Sequence, residues 1–341
     1  METLQLMPIQ TNRNFMIRTF QDIEEAQVIE EARPSKRKHF IEANTQEVKI
    51  SHLKDECIVP VFSKDNETTI SHPSFIETVW EATNKLFPQE SILQPEIRVS
   101  HVVKGRVPEA INKPVNQLLD TDKTIYYERM AFCIEVPSIY EEIEGNRLNL
   151  TIGGVRAYNH ENLYSKKGAE KFKVFIGFKN MVCCNLCIST DGLQQEMKVM
   201  STDELLKSVM KLFINYNVPQ HIHLMNSFKN SYLSEHQFAQ LIGKTKLYHC
   251  LPNSIKKNLP TFEFGDSHIN AVARAYYNDE SFKVDRVAEA INLWKVYNLF
   301  TSANKSSYVD NLLDRSLNAT EMAVGIDKAL HGDSEYKWFI E

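Results

Sequence analysis

Between Arg147 and Asn180 the chain sets Arg147, Arg156, Lys166, Lys167, Lys171, Lys173 and Lys179 against only Glu161 and Glu170. That is a local balance of 7 − 2 = +5 within a chain whose net charge is −5. Cations that track phosphates, interleaved with rings on which bases stack, are the chemistry of single-strand binding, with stacking worth ~1–3 kcal/mol per base. Tyr158, Tyr164 and Phe175 supply the rings. These ten residues form the expected nucleic-acid site. A solvated sheet face whose lysines serve solubility produces the same pattern.

Cys184-Asn-Leu-Cys187 has the spacing of a zinc half-site, with Cys183 adjacent and His221-Ile-His223 or His249-Cys250 as second halves. A strand over 181–188 would point Cys184 and Cys187 to opposite faces, so no metal is expected and the thiols read as small apolar residues. His221 and His223 follow Pro219-Gln220 at a helix start and supply only half a structural site. Glu141, Glu142 and Glu144 precede Gly145-Asn146 in a polar turn, where a raised carboxylate pKa is not expected. Gly153-Gly154 lies inside a strand pattern and indicates a bulge or a close backbone approach, not a phosphate loop. Ser302-Ala-Asn-Lys-Ser-Ser307 reads as a connection between helices. No catalytic triad signature appears, and no cofactor is expected. The enzyme question stays uncertain and leans to no, Cys184, Cys187, His221 and His223 being the residues such a reading would use.

The elements that must position these groups follow from periodicity. Residues 1–45 read as a flexible tail containing the basic cluster Pro34-Ser-Lys-Arg-Lys38. Strands are expected over 48–62, 96–103, 124–136, 147–158 and 171–188, and a helix from Ser71 to Phe87 with Pro73 in its first turn. In 171–179 the alternation sends Phe172, Val174, Ile176 and Phe178 inward and Lys171, Lys173, Phe175, Gly177 and Lys179 outward. After Ser201 the period changes to 3.6, and further helices are expected over 234–242, 266–277, 288–300 and 320–331, the last closed by Gly332. Strands followed by helices indicate an α+β fold: a mainly antiparallel central sheet, then a helical C-terminal half. The expected organisation is a 1–45 tail, a 46–200 sheet region with one helix and a 201–341 helical region packed on the sheet.

With 43% hydrophobic and 24% charged residues, the 341-residue chain falls in the globular range and shows no global polyanion-binding signature. Its apolar runs fall far short of the ~20 residues that span a bilayer, so no membrane partner is expected. Met1–Arg18 lacks the apolar core of a secretory signal, and six cysteines with three in 183–187 do not form a disulfide framework. The expected location is cytoplasmic.

The segments EIRVSHVVKGRVPEA (96–110), YYERMAFCIEVPSI (126–139), LTIGGVRAYN (150–159), KFKVFIGFKNMVCCNLCIST (171–190) and LWKVYNLFTSANKSSYVDNLLDR (293–315) resemble a family of uncharacterised proteins from gut-bacterial conjugative elements and prophages. The resemblance covers roughly residues 45–341. More distantly, 182–186 and 293–301 are similar to the phage/plasmid-like protein family, though Leu186-Cys187 replaces that family's Asn-rich turn. The resemblance implies a mobile-element setting and raises DNA handling or interference with host defence above metabolism. The functional expectation is therefore a non-enzymatic binder of single-stranded nucleic acid, such as DNA. The alternative is a protein-interaction or counter-defence module with a host-protein partner.

Overall fold

A computed structural model describes residues 38–59, 69–110, 112–158 and 169–341. The fold is α+β, a curled antiparallel half-barrel in the first half with helices in the C-terminal half. The seven-stranded sheet runs β1 (Gln46–Glu47), β2 (Glu96–Val99), β5 (Arg129–Ile143), β6 (Asn146–Ala157), β7 (Glu170–Asn180) and β8 (Leu186–Cys187), with β9 (Leu193–Val199) on the same edge of β7 as β8. A separate ribbon pairs β3 (Val102–Arg106) with β4 (Lys123–Tyr127), so the expected strands 96–103 and 124–136 each divide between two sheets.

Hairpin β5–β6 supplies the centre. It turns through Glu144 (φ 49°) and Gly145 (φ 73°), the left-handed pair that matches strand twist in tight hairpins. Register slips between Val136 and Tyr140, where Pro137 cannot donate to the ladder. Gly153 and Gly154 stay in register, and they are a close approach instead of a bulge. A Cβ on Gly153 would collide with the Phe132 carbonyl oxygen, and one on Gly154 would stand 2.5 Å from the ring tip of Phe75.

Helix α2 (His72–Leu86) begins where sequence places it, capped by Ser71, whose Oγ accepts from the Ser74 N–H, and it carries Pro73 in its first turn. Its Phe75, Ile76, Val79 and Ala82 pack on the inner sheet face formed by Phe132, Ile134, Leu150, Ile152, Phe172, Val174, Ile176 and Phe178. The segment expected as strand over 48–62 instead holds helix α1 (Ile50–Asp55), and 60–68 lies outside the described residues. Helices α3 (Thr202–Asn215) and α4 (Val218–Ser227) extend the same core. The β10–β11 pair (Tyr232–Ser234 with Ala290–Asn292) introduces α5 (Glu235–Cys250) and α9 (Leu293–Asn304). Between them come α6 (Asn253–Lys256), α7 (Asp266–Asn278) and α8 (Lys283–Ala288). Helix α10 (Leu312–Leu330) is longer than the periodicity suggested and ends at Gly332 (φ 107°).

The other sheet face is covered too. Ala131, Cys133, Val155 and Phe175 form a second core with Phe40 and Ile41, with Leu186, Ile188 and Leu193, and with Val309, Leu312, Leu313 and Leu317. The sheet is thus a middle layer. The expectation that its cationic face is wet is corrected by this second core.

Candidate binding surfaces

Arg147, Lys171, Lys173 and Lys179 do lie on one face of adjacent strands, because Asn149 pairs with Lys179 and Val155 with Lys173. Their surroundings differ. Lys179 is only 3% exposed, and its Nζ lies 2.5 Å from Glu135 Oε1 and 3.5 Å from Glu96 Oε2. Burial acts to lower the Lys179 pKa, but the charges of Glu135, Cys133 and Glu96 outweigh it and raise the pKa, so the ammonium persists. Glu96 also accepts or shares a proton with His39 Nδ1 at 2.8 Å, and Asn149 donates to Glu135. Lys173 pairs with Asp314 and donates to the Asp310 carbonyl, both on the covering C-terminal segment. Lys171 is half-exposed and lies 2.7 Å from Glu196. Arg147 is exposed, stacks over Tyr140 at 4.0 Å and donates to the Pro137 carbonyl.

Arg156 falls on the opposite, apolar face. It is 1% exposed, sandwiched at 4.6 Å from both Tyr158 and Phe172, and ion-paired with Glu170. Of the expected stacking rings, Phe175 is 1% exposed in the second core and Tyr158 is 3% exposed against His72 at 4.2 Å. Tyr164, Lys166 and Lys167 lie outside the described residues. Most of the local +5 is therefore spent on internal carboxylates, with Lys171 and Arg147 reaching solvent.

The cysteine segment is a turn, not the strand expected over 181–188. Cys184 adopts φ 59°, and only Leu186–Cys187 returns to pair with Phe178 and Lys179. Burial raises the pKa of Cys183, Cys184 and Cys187, that of Cys187 to about 12, which disfavours thiolate chemistry. This turn docks on α9. Asn180 Nδ2 lies 3.3 Å from Asn298 Oδ1, and Asn185 donates to the Asn298 carbonyl and to Thr301 Oγ1, both at 3.1 Å. The two segments that resemble phage/plasmid-like proteins thus meet as a buried latch. Lys305, expected in a polar connection, is 6% exposed and ties Cys183 O to Glu42.

His221 is buried on α4, with Tyr216 Oη 2.7 Å from its Nδ1, while His223 faces solvent. Burial lowers the His221 pKa to about 4, so it is a neutral core ring. Among the described residues no three His, Cys, Asp or Glu side chains gather as a metal group.

A surface outside the expected site carries unneutralised charge. From His236 to Phe262 there is no Asp or Glu, while Lys244, Lys246, Lys256 and Lys257 are present. Among the described residues none of the four forms an ion pair. Lys244 instead sits 4.9 Å over Trp338, and Lys256 sits 5.5 Å over Tyr248 and donates to the His249 carbonyl. Lys246 and Lys257 project into solvent beside exposed Leu247 and Ile255. This 27-residue acid-free stretch was visible as charge pattern in the sequence, but the strand periodicity of 147–190 drew the cationic reading elsewhere.

Together these features define an α+β protein with a curled antiparallel sheet buried on both faces and a cationic helical flank. The chain belongs to the family described as "Domain of unknown function, B. Theta Gene description" (DUF3871), whose model matches residues 22–340. No match was found among curated proteins. No described helix is long and apolar enough to cross a membrane.

Proposed function

We propose that the protein is a non-enzymatic binder of single-stranded nucleic acid, acting in a mobile-element setting, and that it binds through α5 and α6. The carrying observation is the set of four lysines without carboxylate partners, two of them held over aromatic rings. Unpaired cations release counterions from phosphates, whereas Lys171, Lys173 and Lys179 already have carboxylates to satisfy them. Exposed Leu247 and Ile255 beside the lysines offer apolar contact to unstacked bases, which a duplex keeps inside. The raised thiol pKa values and the neutral buried histidines support a binding role over nucleophilic catalysis.

Titration of a labelled single strand at several salt concentrations tests the reading. Lys246→Ala with Lys257→Ala should weaken binding and flatten the dependence of log K on log salt by about 1.4, two contacts at ~0.7 each. Lys171→Ala should leave that slope unchanged, because Glu196 already neutralises Lys171. No binding at low salt, or a slope that responds to Lys171 and not to Lys246 and Lys257, would refute the assignment. A protein-interaction or counter-defence role is the second reading, favoured by Val284 and Val287 on α8, 76% and 82% exposed. Salt-insensitive capture of a protein partner, lost on Val287→Glu, would support it instead.

A further inference from the structure

We infer that the cavity at the start of α2 is a binding site for a small neutral ring compound bearing an O–H or N–H donor, with His72 Nδ1 as its acceptor. The cavity measures about 240 Å³ and is walled by Leu53, Cys57, Val59, Tyr127 and Tyr158 around His72. It exceeds the roughly 150 Å³ that suffices for benzene in an apolar protein cavity.

The acceptor follows from geometry. His72 is 4% exposed, and its Nε2 lies 2.9 Å from the Tyr127 carbonyl oxygen, which fixes the proton on Nε2. Nδ1 is then a lone-pair acceptor, and it is buried without a partner. Buried polar atoms are nearly always paired, so an orphan beside a cavity points to a group that arrives from outside. The ring is also held in place from below. It stacks on Tyr158 at 29°, Arg156 supports Tyr158, and Glu170, paired with Arg156, accepts the Ile70 N–H at 2.9 Å just before α2.

Neutrality follows from the charges at the rim. Lys54 and Glu77 neutralise each other at 2.5 Å. Ser71 and Ser74 hydroxyls are engaged with each other at 2.7 Å, and Ser71 Oγ caps the helix, so the helix start is already satisfied. Burial and the nearby Arg156 lower the His72 pKa to about 3, which keeps the imidazole uncharged at neutral pH. An anion would find no free cation and a cation no free carboxylate. A neutral donor on a flat apolar body fits the walls.

Phenol and toluene, alike in size and differing in the donor, are the probes. Phenol should raise the melting temperature of the full chain and move the ¹⁵N resonance of the unprotonated His72 nitrogen upfield. Toluene should bind at least tenfold more weakly and leave that resonance in place. Val59→Trp, which fills the cavity from its rim and spares His72, should abolish the phenol response while the protein stays folded. His72→Gln, which preserves a donor and an acceptor, should retain the preference for phenol. Equal binding of the two probes, an unmoved His72 resonance, or full phenol binding by Val59→Trp would overturn the assignment.

Discussion

Two imidazoles set how this molecule responds to acid. His72 and His221 are buried and neutral, with pKa values lowered to about 3 and about 4, mainly by burial. In the unfolded chain each protonates near its ordinary value of about 6.5. Between those limits the unfolded state binds more protons, so stability is complete above about 6.5 and is lost as pH falls toward the folded pKa values. At pH 5 each should cost roughly 2 kcal/mol relative to pH 8. Urea unfolding at the two pH values should show this loss, and His221→Gln should remove about half of it. An unchanged pH dependence in that variant would mean that His221 is not the buried neutral base described. The same scale shows where residue-type reasoning went astray. Lys179 and Phe175 alternate with apolar neighbours just as solvent-facing residues do, and strand periodicity separates two faces without saying what covers either. Their carboxylate and apolar partners, Glu135 and Leu313, lie far away in sequence. Arg156, by contrast, was legible as an inward residue from its phase with Leu150 and Ile152.

At the scale of elements, local signals were read faithfully and long-range ones were not. Ser71-His-Pro-Ser74 encodes its own helix start because the cap, the proline and the apolar stripe are contiguous. The strand boundaries near 100 and 128 were missed because a break between two sheets leaves no periodicity signal of its own. The paired glycines did announce a close approach. Gly153→Ala should destabilise by at least ~1–3 kcal/mol, since a methyl would strike the Phe132 carbonyl in a neighbouring strand that cannot move without breaking its ladder. Gly243→Ala is the matching control in α5, where nothing stands within 4 Å of an added Cβ, and it should stabilise by ~0.5–1 kcal/mol through helix propensity. Chemical denaturation of the two variants gives both signs. If they shifted stability equally, the steric account of the glycine pair would be wrong.

Across the whole molecule the helical half is structural cover for the sheet, and this decides how it should unfold. Cys187 belongs to the core that α2, α3 and α4 share with the inner sheet face, whereas Cys133 belongs to the core closed by Val309, Leu312, Leu313 and Leu317. Strand β7 supplies both, with Phe172, Val174, Ile176 and Phe178 on one side and Phe175 on the other. Losing either cover would expose an apolar sheet face to water, and at ~25 cal/mol per Å² neither half gains by separating. The latch between the 180–185 turn and Asn298 adds polar bonds that break in the same event. In a denaturant series Cys250, which is exposed, should react with a thiol reagent throughout. Cys133 and Cys187 should become reactive together, at the midpoint seen by far-ultraviolet circular dichroism. Reaction of Cys133 well before Cys187 would show that the α10 cover opens by itself and that the sheet and helices are separable units.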